Sequence, residues 1–528
     1  MSSTLFGYIE PKEVPLHMKS HAGQLFKNAM LLTAASLLMR TVGVAFQVYV
    51  SNRAGAEAMG LFSLLSGVYG FALTLATSGI HLGVTRLVVD TVSEGHPARV
   101  RAAMRRATVY ALFFGVLAAS LLLILAEPIG TLWLKDARTV PSLRLLSVTL
   151  PLIALSSAWS GYFTAVRRPY KNACVQVFEQ GVKIAATMYL LTALFATDEK
   201  TVCCLLVLGG AVAEICSFLL DLVLYLLDRK RHFVGRDRGG AQTRKLLSIT
   251  LPIALTTYVR SGLLTLQHIL IPEGLRNSGS SHAAALIAYG SIQSMALPVI
   301  LYPAALISSF AGLLVPELAE AEIQNGRRHI RYMISRVWSL SALFSIGVAG
   351  ILICFSGEIG EALYPDTDAA RYIRLLAPLI PIMYVDTATD AMMKGLGEQV
   401  YSMKINIADA LISVILVYLL VPRYGIGGYL FTIYFSELFN TVFSITHLLS
   451  ISQTPVCLAK WVYKPLLAVV GATSAVRLLL FVLPIHVSSA ALSITLHCAM
   501  VLVLYLLFLR LTGALEREDV CWIRGLIR

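Results

Sequence analysis

The chain has 528 residues, of which 57% are hydrophobic and 14% are charged. Soluble domains carry about 25% charged residues, so this composition excludes a soluble globular protein. The net charge of +13 follows the loops of one side of the predicted topology, and no nucleic-acid partner is therefore predicted. None of the eight cysteines belongs to a CxxC pair, and no nucleotide-binding or hydrolase motif is present. We predict no metal site, no cofactor and no enzymatic activity.

Apolar stretches close to the ~20 residues that a helix needs to cross a bilayer recur along the chain. We predict an all-α membrane protein with fourteen transmembrane helices, at roughly 25–50, 59–89, 107–126, 144–166, 171–196, 201–227, 246–271, 284–316, 332–356, 373–394, 402–421, 426–449, 461–483 and 488–511. Cytoplasmic loops of membrane proteins are enriched in Lys and Arg. Here the two tails and alternate loops contain 29 of the 43 Lys and Arg residues, and the opposite loops contain 9. Both termini are therefore predicted to be cytoplasmic, in a multi-pass protein of the cell (cytoplasmic) membrane.

The sequence also repeats itself weakly at a constant spacing. Residues 60–190 align without a gap on residues 290–420, so that Gly60 meets Gly290. Each repeat holds six segments, an even number, and the two copies therefore have the same orientation. The prediction is two parallel six-helix repeats, which form two bundles around a central cleft, with helices 13 and 14 added at the C-terminal end.

The predicted domain organisation follows from these segments. It comprises a cytoplasmic N-terminal tail (1–24), an N-terminal six-helix bundle (25–227), a basic cytoplasmic linker (228–245), a C-terminal six-helix bundle (246–449), the extra helices 13 and 14 (461–511) and a cytoplasmic tail (512–528). The linker carries seven Lys or Arg residues against two Asp. This composition suits a flexible segment near anionic lipid headgroups, or a segment that only fixes the topology.

Two arginines stand at matching positions in the middle of predicted membrane helices. Arg40 lies in the first helix and Arg260 in the seventh, and each is followed seven residues later by a glutamine, Gln47 and Gln267. An arginine at bilayer depth costs roughly 2.5–3.5 kcal/mol on insertion scales, so it requires a partner or a wet cavity. We predict that both arginines, with the two glutamines, face the cleft and bind an anion. The alternative is a structural ion pair inside one bundle.

Intramembrane carboxylates indicate a second kind of site. Asp386 and Asp390 lie four residues apart on one helix and repel each other unless they share a cation or a proton. They are the first candidates for ion or proton coupling, although solvation near the cytoplasmic end would also explain them. Glu214 and Glu437 occupy similar places in the two halves and are further candidates for the same role, or for pairing with the arginines.

Two other charged features of the membrane helices have simpler interpretations. Glu179 and Lys183 have the i, i+4 spacing with the acid first, which favours an intramembrane ion pair. Arg477 in helix 13 is predicted to snorkel to the interface or to line a lipid groove.

Two stretches carry a resemblance to a known family. The end of the first helix reads RTVGVAFQVYVSNRAGAEAMGLFSLL, and residues 160–184 read SGYFTAVRRPYKNACVQVFEQGVKI. With fourteen segments in two repeats, they resemble the multidrug/oligosaccharidyl-lipid/polysaccharide (MOP) exporter superfamily. Within it, they look most like the stage V sporulation protein B group of polysaccharide-biosynthesis flippases, related to the MurJ-type lipid II flippases. The resemblance implies that Arg40 engages the pyrophosphate of a lipid-linked sugar with Arg260 as its repeat mate; Arg53 and Arg86 are weaker candidates.

These observations predict a flippase for an undecaprenyl-pyrophosphate-linked oligosaccharide, a peptidoglycan or polysaccharide precursor such as that of the spore cortex. It would work by alternating access, with membrane lipids and a coupling cation, Na⁺ or H⁺, as partners. Two alternatives remain open: a cation-coupled multidrug antiporter of the MATE type, and a membrane scaffold that transports nothing.

Overall fold

The computed structural model describes residues 16–93, 97–193, 198–232, 242–324, 326–365, 367–482 and 490–515. Much of the predicted N-terminal tail, basic linker and C-terminal tail lies outside these ranges. Within them the regular structure is helical and no strand is present.

Seventeen α-helices follow one another along the described chain. They are α1 (Leu16–Thr77), α2 (Ile80–Ser93), α3 (Pro97–Pro128), α4 (Val140–Ala165), α5 (Pro169–Ala193), α6 (Glu199–His232), α7 (Gln242–Asn277), α8 (His282–Gly290), α9 (Leu297–Leu301), α10 (Ala304–Ile323), α11 (Arg327–Leu363), α12 (Ala369–Leu376), α13 (Ile380–Gly395), α14 (Gln399–Tyr424), α15 (Ile426–Ser452), α16 (Lys464–Val482) and α17 (Ala490–Leu511).

Breaks in the helices account for most differences from the predicted segments. Helix α1 spans the first predicted segment and most of the second, with a kink at Gly55, whose φ of 81° is a backbone conformation that favours glycine. The second predicted segment is then interrupted at Ser78 and Gly79, which both have positive φ. The predicted segment 284–316 is divided into α8, a π-helical turn at Ser291–Ala296, α9 and α10.

Eleven stretches of the described residues are long and apolar enough to cross a membrane. The chain is thus a multi-pass helical membrane protein. The figure of fourteen crossings stays a prediction, because several predicted segments are broken, merged or more polar than such a stretch.

In the part of the chain that the structure describes, helices α16 and α17 pack mainly on helix α11 in the body of the protein. Their apolar side chains form a core cluster of their own with residues of α11, separate from the main core. The Tyr505 hydroxyl donates to the Leu343 carbonyl at 2.7 Å, and the Arg477 guanidinium donates to the Cys354 carbonyl at 3.0 Å. Arg477 therefore donates to a backbone carbonyl of the protein. Neither predicted role, snorkelling to the interface or lining a lipid groove, included this contact.

Helices α1 and α8 cross in contact at two glycines, Gly60 and Gly290, that the predicted repeat would make equivalent. A β-carbon on Gly60 would collide with the Leu286 carbonyl oxygen, and one on Gly290 would collide with the Ala56 carbonyl oxygen. Gly60 and Ala56 are separated from Gly290 and Leu286 by the repeat spacing of 230 residues. The two contacts are therefore reciprocal: each glycine meets the backbone carbonyl oxygen of the residue four positions before the other glycine.

We expect Gly60→Ala and Gly290→Ala each to lower the stability of the protein. The added methyl group must push two backbones apart, and overpacking of this kind costs about 1–3 kcal/mol. The measurement is the thermal unfolding midpoint of the purified protein in detergent. Gly70→Ala, in α1 with open space around the added carbon, is the matched control and should not destabilise. Equal midpoints for all three variants would contradict the tight crossing.

Candidate functional site

The π-helical turn before α9 and the break between α9 and α10 both have backbone carbonyls that accept from side chains of other helices. Pro298 has no N–H and cannot donate to the carbonyl four residues earlier, at Ser294 in the π-helical turn, which accepts from Gln47 Nε2 at 3.2 Å. The Ala305 N–H bonds to the Tyr302 carbonyl instead of to Leu301. The freed Leu301 carbonyl accepts from Arg40 Nη2 at 3.0 Å.

The same break is held by two further hydrogen bonds. The Tyr384 hydroxyl of α13 donates to the Ile300 carbonyl at 2.6 Å, and the hydroxyls of Thr41 and Tyr302 lie 2.8 Å apart. Arg40, Thr41 and Gln47 all belong to α1. The predicted cavity residues of the N-terminal half are thus in contact with the broken helix of the C-terminal half.

Arg260 occupies the matching place on α7, but its contacts differ from those of Arg40. Its Nη2 lies 3.4 Å from Asn406 Oδ1 on α14, and the carboxylate of Asp409 is close enough to interact with it electrostatically. Asp409 is in turn a hydrogen-bond acceptor for the Ser436 hydroxyl at 2.7 Å. Arg260 is exposed, as Arg40 is, so both guanidinium groups have N–H donors available to a ligand.

A polar pocket of about 390 Å³ lies beside Asn406. Its polar lining comes from four helices and includes Asp386, Asp390, Lys394, Asn406, Asn440 and Ser444. Lys394 pairs with Asp390 at 2.6 Å, and Asn440 Nδ2 lies 3.4 Å from Asp386 Oδ2. The other oxygen of Asp386 is buried without a hydrogen-bond partner among the described residues. The pocket therefore combines a neutralised carboxylate with one that lacks a full set of donors.

The predicted acidic groups of the two halves form separate clusters. Glu437 lies near Asp386 and Asp409 in the C-terminal half. Glu214 lies near Glu179 and Lys183 in the N-terminal half, and neither half brings a glutamate against Arg40 or Arg260 within ion-pair distance among the described residues.

The N-terminal cluster contains one residue that the sequence analysis missed. Asp221 on α6 is 4% exposed, and its Oδ1 has no partner in the described structure. Lys183 is close enough to Glu179 for an electrostatic interaction, but the predicted close ion pair is not formed between them in the described structure. The i, i+4 spacing permits such a pair without enforcing it.

Three predicted residues form no side-chain hydrogen bond or ion pair within the part of the chain that the structure describes, and their contacts define no site. Arg53 and Arg86 are exposed, and Gln267 is half-buried on α7. No group of three or more His, Cys, Asp or Glu side chains in the described ranges is arranged to hold a metal ion.

An ion-pair cluster joins the two halves at the end of the molecule that is predicted to lie outside the cell. Asp136, between α3 and α4, accepts from Arg138 Nη2 at 2.8 Å and lies 2.9 Å from His282 Nε2 at the start of α8. Arg138 also pairs with Glu57 at 3.0 Å and with Glu199 at 3.6 Å. Burial alone would raise the pKa of Asp136, but hydrogen bonds from Arg138 and His282 outweigh it and hold this pKa below its usual value.

Comparisons with known proteins identify the family of this chain. The profile of the family described as polysaccharide biosynthesis protein matches residues 25–310, which is more than half of the chain. The chain belongs to this family. A second profile, MatE, matches residues 279–419. Both families fall in the MOP superfamily that the sequence motifs indicated, so that prediction is confirmed.

Similar proteins and structures agree with this assignment. Stage V sporulation protein B of Bacillus subtilis is 24% identical over 76% of this chain and 78% of its own length. Lipid II flippase MurJ of the same organism is 22% identical over 75% of this chain and 77% of its own. A solved structure of lipid II flippase MurJ in an inward closed conformation aligns with a TM-score of 0.70 at 13% identity, covering 94% of this chain and 100% of that one. An inward-facing multidrug MATE transporter aligns at 0.61 and 14% identity, covering 80% and 96%.

The family and the fold place this protein among membrane flippases and transporters. Lipid II flippase MurJ and the MATE transporter are named as such and not as enzymes, which agrees with the prediction of no enzymatic activity.

We expect Asp136→Asn to destabilise the protein at neutral pH by on the order of 3 kcal/mol. The reason is that Arg138 and His282 lose the buried carboxylate with which they pair. The folded-state pKa of Asp136 is depressed, so its contribution is fully present above the unfolded-state pKa of about 3.9 and is lost as pH falls through the folded-state value. The unfolding midpoints of variant and wild type should therefore differ at pH 7 and converge below about pH 4.

The control for this prediction is Glu127→Gln. Glu127 pairs with Arg144 at 3.4 Å, and both side chains are more than half exposed. Exposed pairs contribute about 0–1 kcal/mol. A pH-independent difference for Asp136→Asn, or equal effects of the two variants, would contradict the assigned role of the cluster.

Proposed function

We propose that this protein is a flippase that moves an undecaprenyl-pyrophosphate-linked oligosaccharide across the cytoplasmic membrane by alternating access. The observation that carries the proposal is the pair Arg40 and Arg260, at matching positions of α1 and α7, with N–H donors not used by the protein. The substrate would be a peptidoglycan or polysaccharide precursor. Relatives named for sporulation and for lipid II flipping support this substrate class.

The electrostatics of the crossing explain why arginines are suitable. A pyrophosphate is an anion, and transfer of an isolated charge into a low-dielectric path is prohibitive without a counter-charge. The planar guanidinium offers several N–H donors and can bind phosphate oxygens in a bidentate manner. Among the described residues, the Arg40 guanidinium donates to a backbone carbonyl, which carries no net charge. The positive charge of Arg40 is therefore available to a substrate, and Gln47 and Gln267 would add hydrogen bonds near it.

The architecture that we propose for this mechanism has fourteen crossings, with both termini cytoplasmic. The bundles 25–227 and 246–449 would be parallel repeats that rock about the cleft, with the extra helices 461–511 outside the repeat. The reciprocal contacts of Gly60 and Gly290 support the repeat.

A cation-coupled multidrug antiporter of the MATE type is the second candidate. The half-buried carboxylates of the C-terminal cluster, around Asp386, favour it, together with the MatE match over residues 279–419. The same groups could serve a flippase as the site of coupling to Na⁺ or H⁺. In that case Asp386 and Asp390, with Glu214 and Glu437, are the proposed coupling residues.

We expect Arg40→Ala and Arg260→Ala each to abolish flipping of the lipid-linked oligosaccharide per molecule of protein. Arg40→Ala should also lower the amount of protein in the membrane, because the Leu301 carbonyl loses its donor. Arg260→Ala should accumulate as the wild type does. Lysine variants should retain part of the activity if charge dominates, and little if bidentate geometry dominates. The measurement is the flipping rate per molecule of protein in vesicles, with protein content quantified by immunoblot.

Arg423→Ala is the control, because Arg423 is an exposed arginine at the end of α14 that forms no hydrogen bond or ion pair with the described residues. It should flip at the wild-type rate. Wild-type flipping by both alanine variants, or loss of activity only in proportion to lost protein, would overturn the proposal.

A further inference from the structure

We propose that Asn406 is a positioning residue that transmits the charge state of Asp390 to the anion-binding Arg260. This inference rests on the proposed flippase function, and it specifies how the coupling site and the substrate site act on each other. The three residues belong to three helices of the C-terminal half: Arg260 to α7, Asn406 to α14 and Asp390 to α13. The polar face of α14 connects the two sites.

The connection is a chain of hydrogen bonds along this face of α14. Asn406 Oδ1 accepts from Arg260 Nη2 at 3.4 Å. The amide nitrogen of Asn406 donates to the Ser402 carbonyl at 2.8 Å and lies 3.3 Å from the Ser402 hydroxyl. That hydroxyl donates in turn to Asp390. Ser402 and Asn406 are four residues apart, so they are neighbours on one face of the helix.

The chemistry of the partners fixes the direction of each bond. A guanidinium group only donates and a backbone carbonyl only accepts. Asn406 must therefore present its oxygen to Arg260 and its nitrogen to Ser402. An ionised carboxylate also only accepts, so the Ser402 hydroxyl donates to Asp390. All the donors point from Arg260 towards Asp390, and a charge at that end polarises the whole chain.

The charge of Asp390 determines how firmly the chain holds Arg260. A hydrogen bond to an ionised group is roughly twice as strong as a bond between neutral groups, so charged Asp390 keeps the Ser402 hydroxyl turned towards it. When a proton or a cation neutralises Asp390, Ser402 is free to donate to the carbonyl four residues earlier, as helical serines do. Asn406 then loses the hydroxyl as an acceptor and holds Arg260 less firmly. The guanidinium group is thereby released to a phosphate.

The surroundings of the chain suit this role. Ser402, its middle member, is 5% exposed, so water does not replace the bonds of its hydroxyl. Arg260 is exposed and has room to change partners. The second oxygen of Asp390 pairs with Lys394 at 2.6 Å, on the same helix. Arg40 instead donates to the carbonyl of Leu301, whose charge is fixed, and the device therefore acts on Arg260.

The test is a double-mutant cycle on the affinity for an anion. The probe is undecaprenyl pyrophosphate, titrated against the purified full-length protein in detergent at fixed pH and fixed sodium concentration. Asp390→Asn removes the charge, and its effect on the dissociation constant is measured in the wild-type background and in Ser402→Ala. Ser402→Ala deletes the hydroxyl and keeps the carbonyl that holds Asn406. The direct electrostatic effect of the lost charge is common to both backgrounds and cancels from the comparison.

We expect Asp390→Asn to tighten binding of the probe, with an effect about fivefold larger in the wild-type background than in Ser402→Ala. Asn406→Leu should reduce the effect of Asp390→Asn to the same extent, through a different deletion in the chain. Ser444→Ala is the matched control, because its hydroxyl bonds to Asp386 instead. In that background the effect should equal the wild-type effect within about twofold. Unfolding midpoints establish that each variant is folded.

The outcomes separate the link from the proposed function. Equal effects of Asp390→Asn in all four backgrounds would show that the carboxylate acts through space alone, and would overturn the link. A reduced effect in Ser444→Ala as well would show that the whole pocket is disturbed, and would overturn it too. If the wild type does not bind undecaprenyl pyrophosphate, or Arg260→Ala binds it equally tightly, the proposed function fails and the link fails with it.

Discussion

The structure depends on one constraint: a backbone carbonyl freed inside the membrane must find a donor within the protein. In hydrocarbon there is no water to satisfy it, and each unsatisfied group costs several kcal/mol. Helix breaks at membrane depth are therefore possible only where other helices supply donors. The π-helical turn before α9 meets this requirement through Gln47 of α1, and the break between α9 and α10 meets it through Arg40 of α1 and Tyr384 of α13. Because α1 belongs to the other half of the chain, the break also joins the two halves.

The same constraint explains the position of Arg477 in the extra helices. Helix α11 has non-helical dihedral angles at Phe355, and the Cys354 carbonyl just before this kink accepts from Arg477. His497 of α17 stacks on Phe355 and lies 3.1 Å from Glu358. Both extra helices, α16 and α17, thus contact α11 at its kink. The segment beyond it ends at Leu363, whose carbonyl accepts from Asn52 of α1 at 2.8 Å. The added helices are in this way linked to the contact between the halves.

The sequence was sufficient for the properties that depend on local patterns. Hydrophobic runs predicted the helices, Gly55 lies within the predicted loop between the first two segments, and the motifs of the first helix indicated the superfamily. Residue spacing was also available for the pair of Asp390 and Lys394, which has the favourable i, i+4 order, yet the analysis considered only the repulsion between Asp390 and Asp386. Comparing Asp390 with the residue one helical turn further along would have identified Lys394 as its partner.

Other features depend on contacts that no local pattern contains. Asp136 and His282 are 146 residues apart in the chain, and only the fold brings them together. The role of Arg40 as a donor to Leu301 likewise requires knowledge of where α9 ends. Spacing could show that Glu179 and Lys183 are able to pair, but the rotamers and neighbours that leave them apart are tertiary properties. Charge at membrane depth identified the correct residues to examine, without identifying their partners.

The central claim, that the arginines provide a path for a pyrophosphate-linked glycan, can be measured directly with purified protein in liposomes. The assay follows the translocation of two fluorescent lipids with the same polyprenyl chain and the same oligosaccharide, one joined through pyrophosphate and one through a neutral linkage. The account predicts that the protein moves the pyrophosphate-linked lipid faster than protein-free liposomes do, and does not accelerate the neutral one. Equal acceleration of both lipids, or of neither, would contradict it.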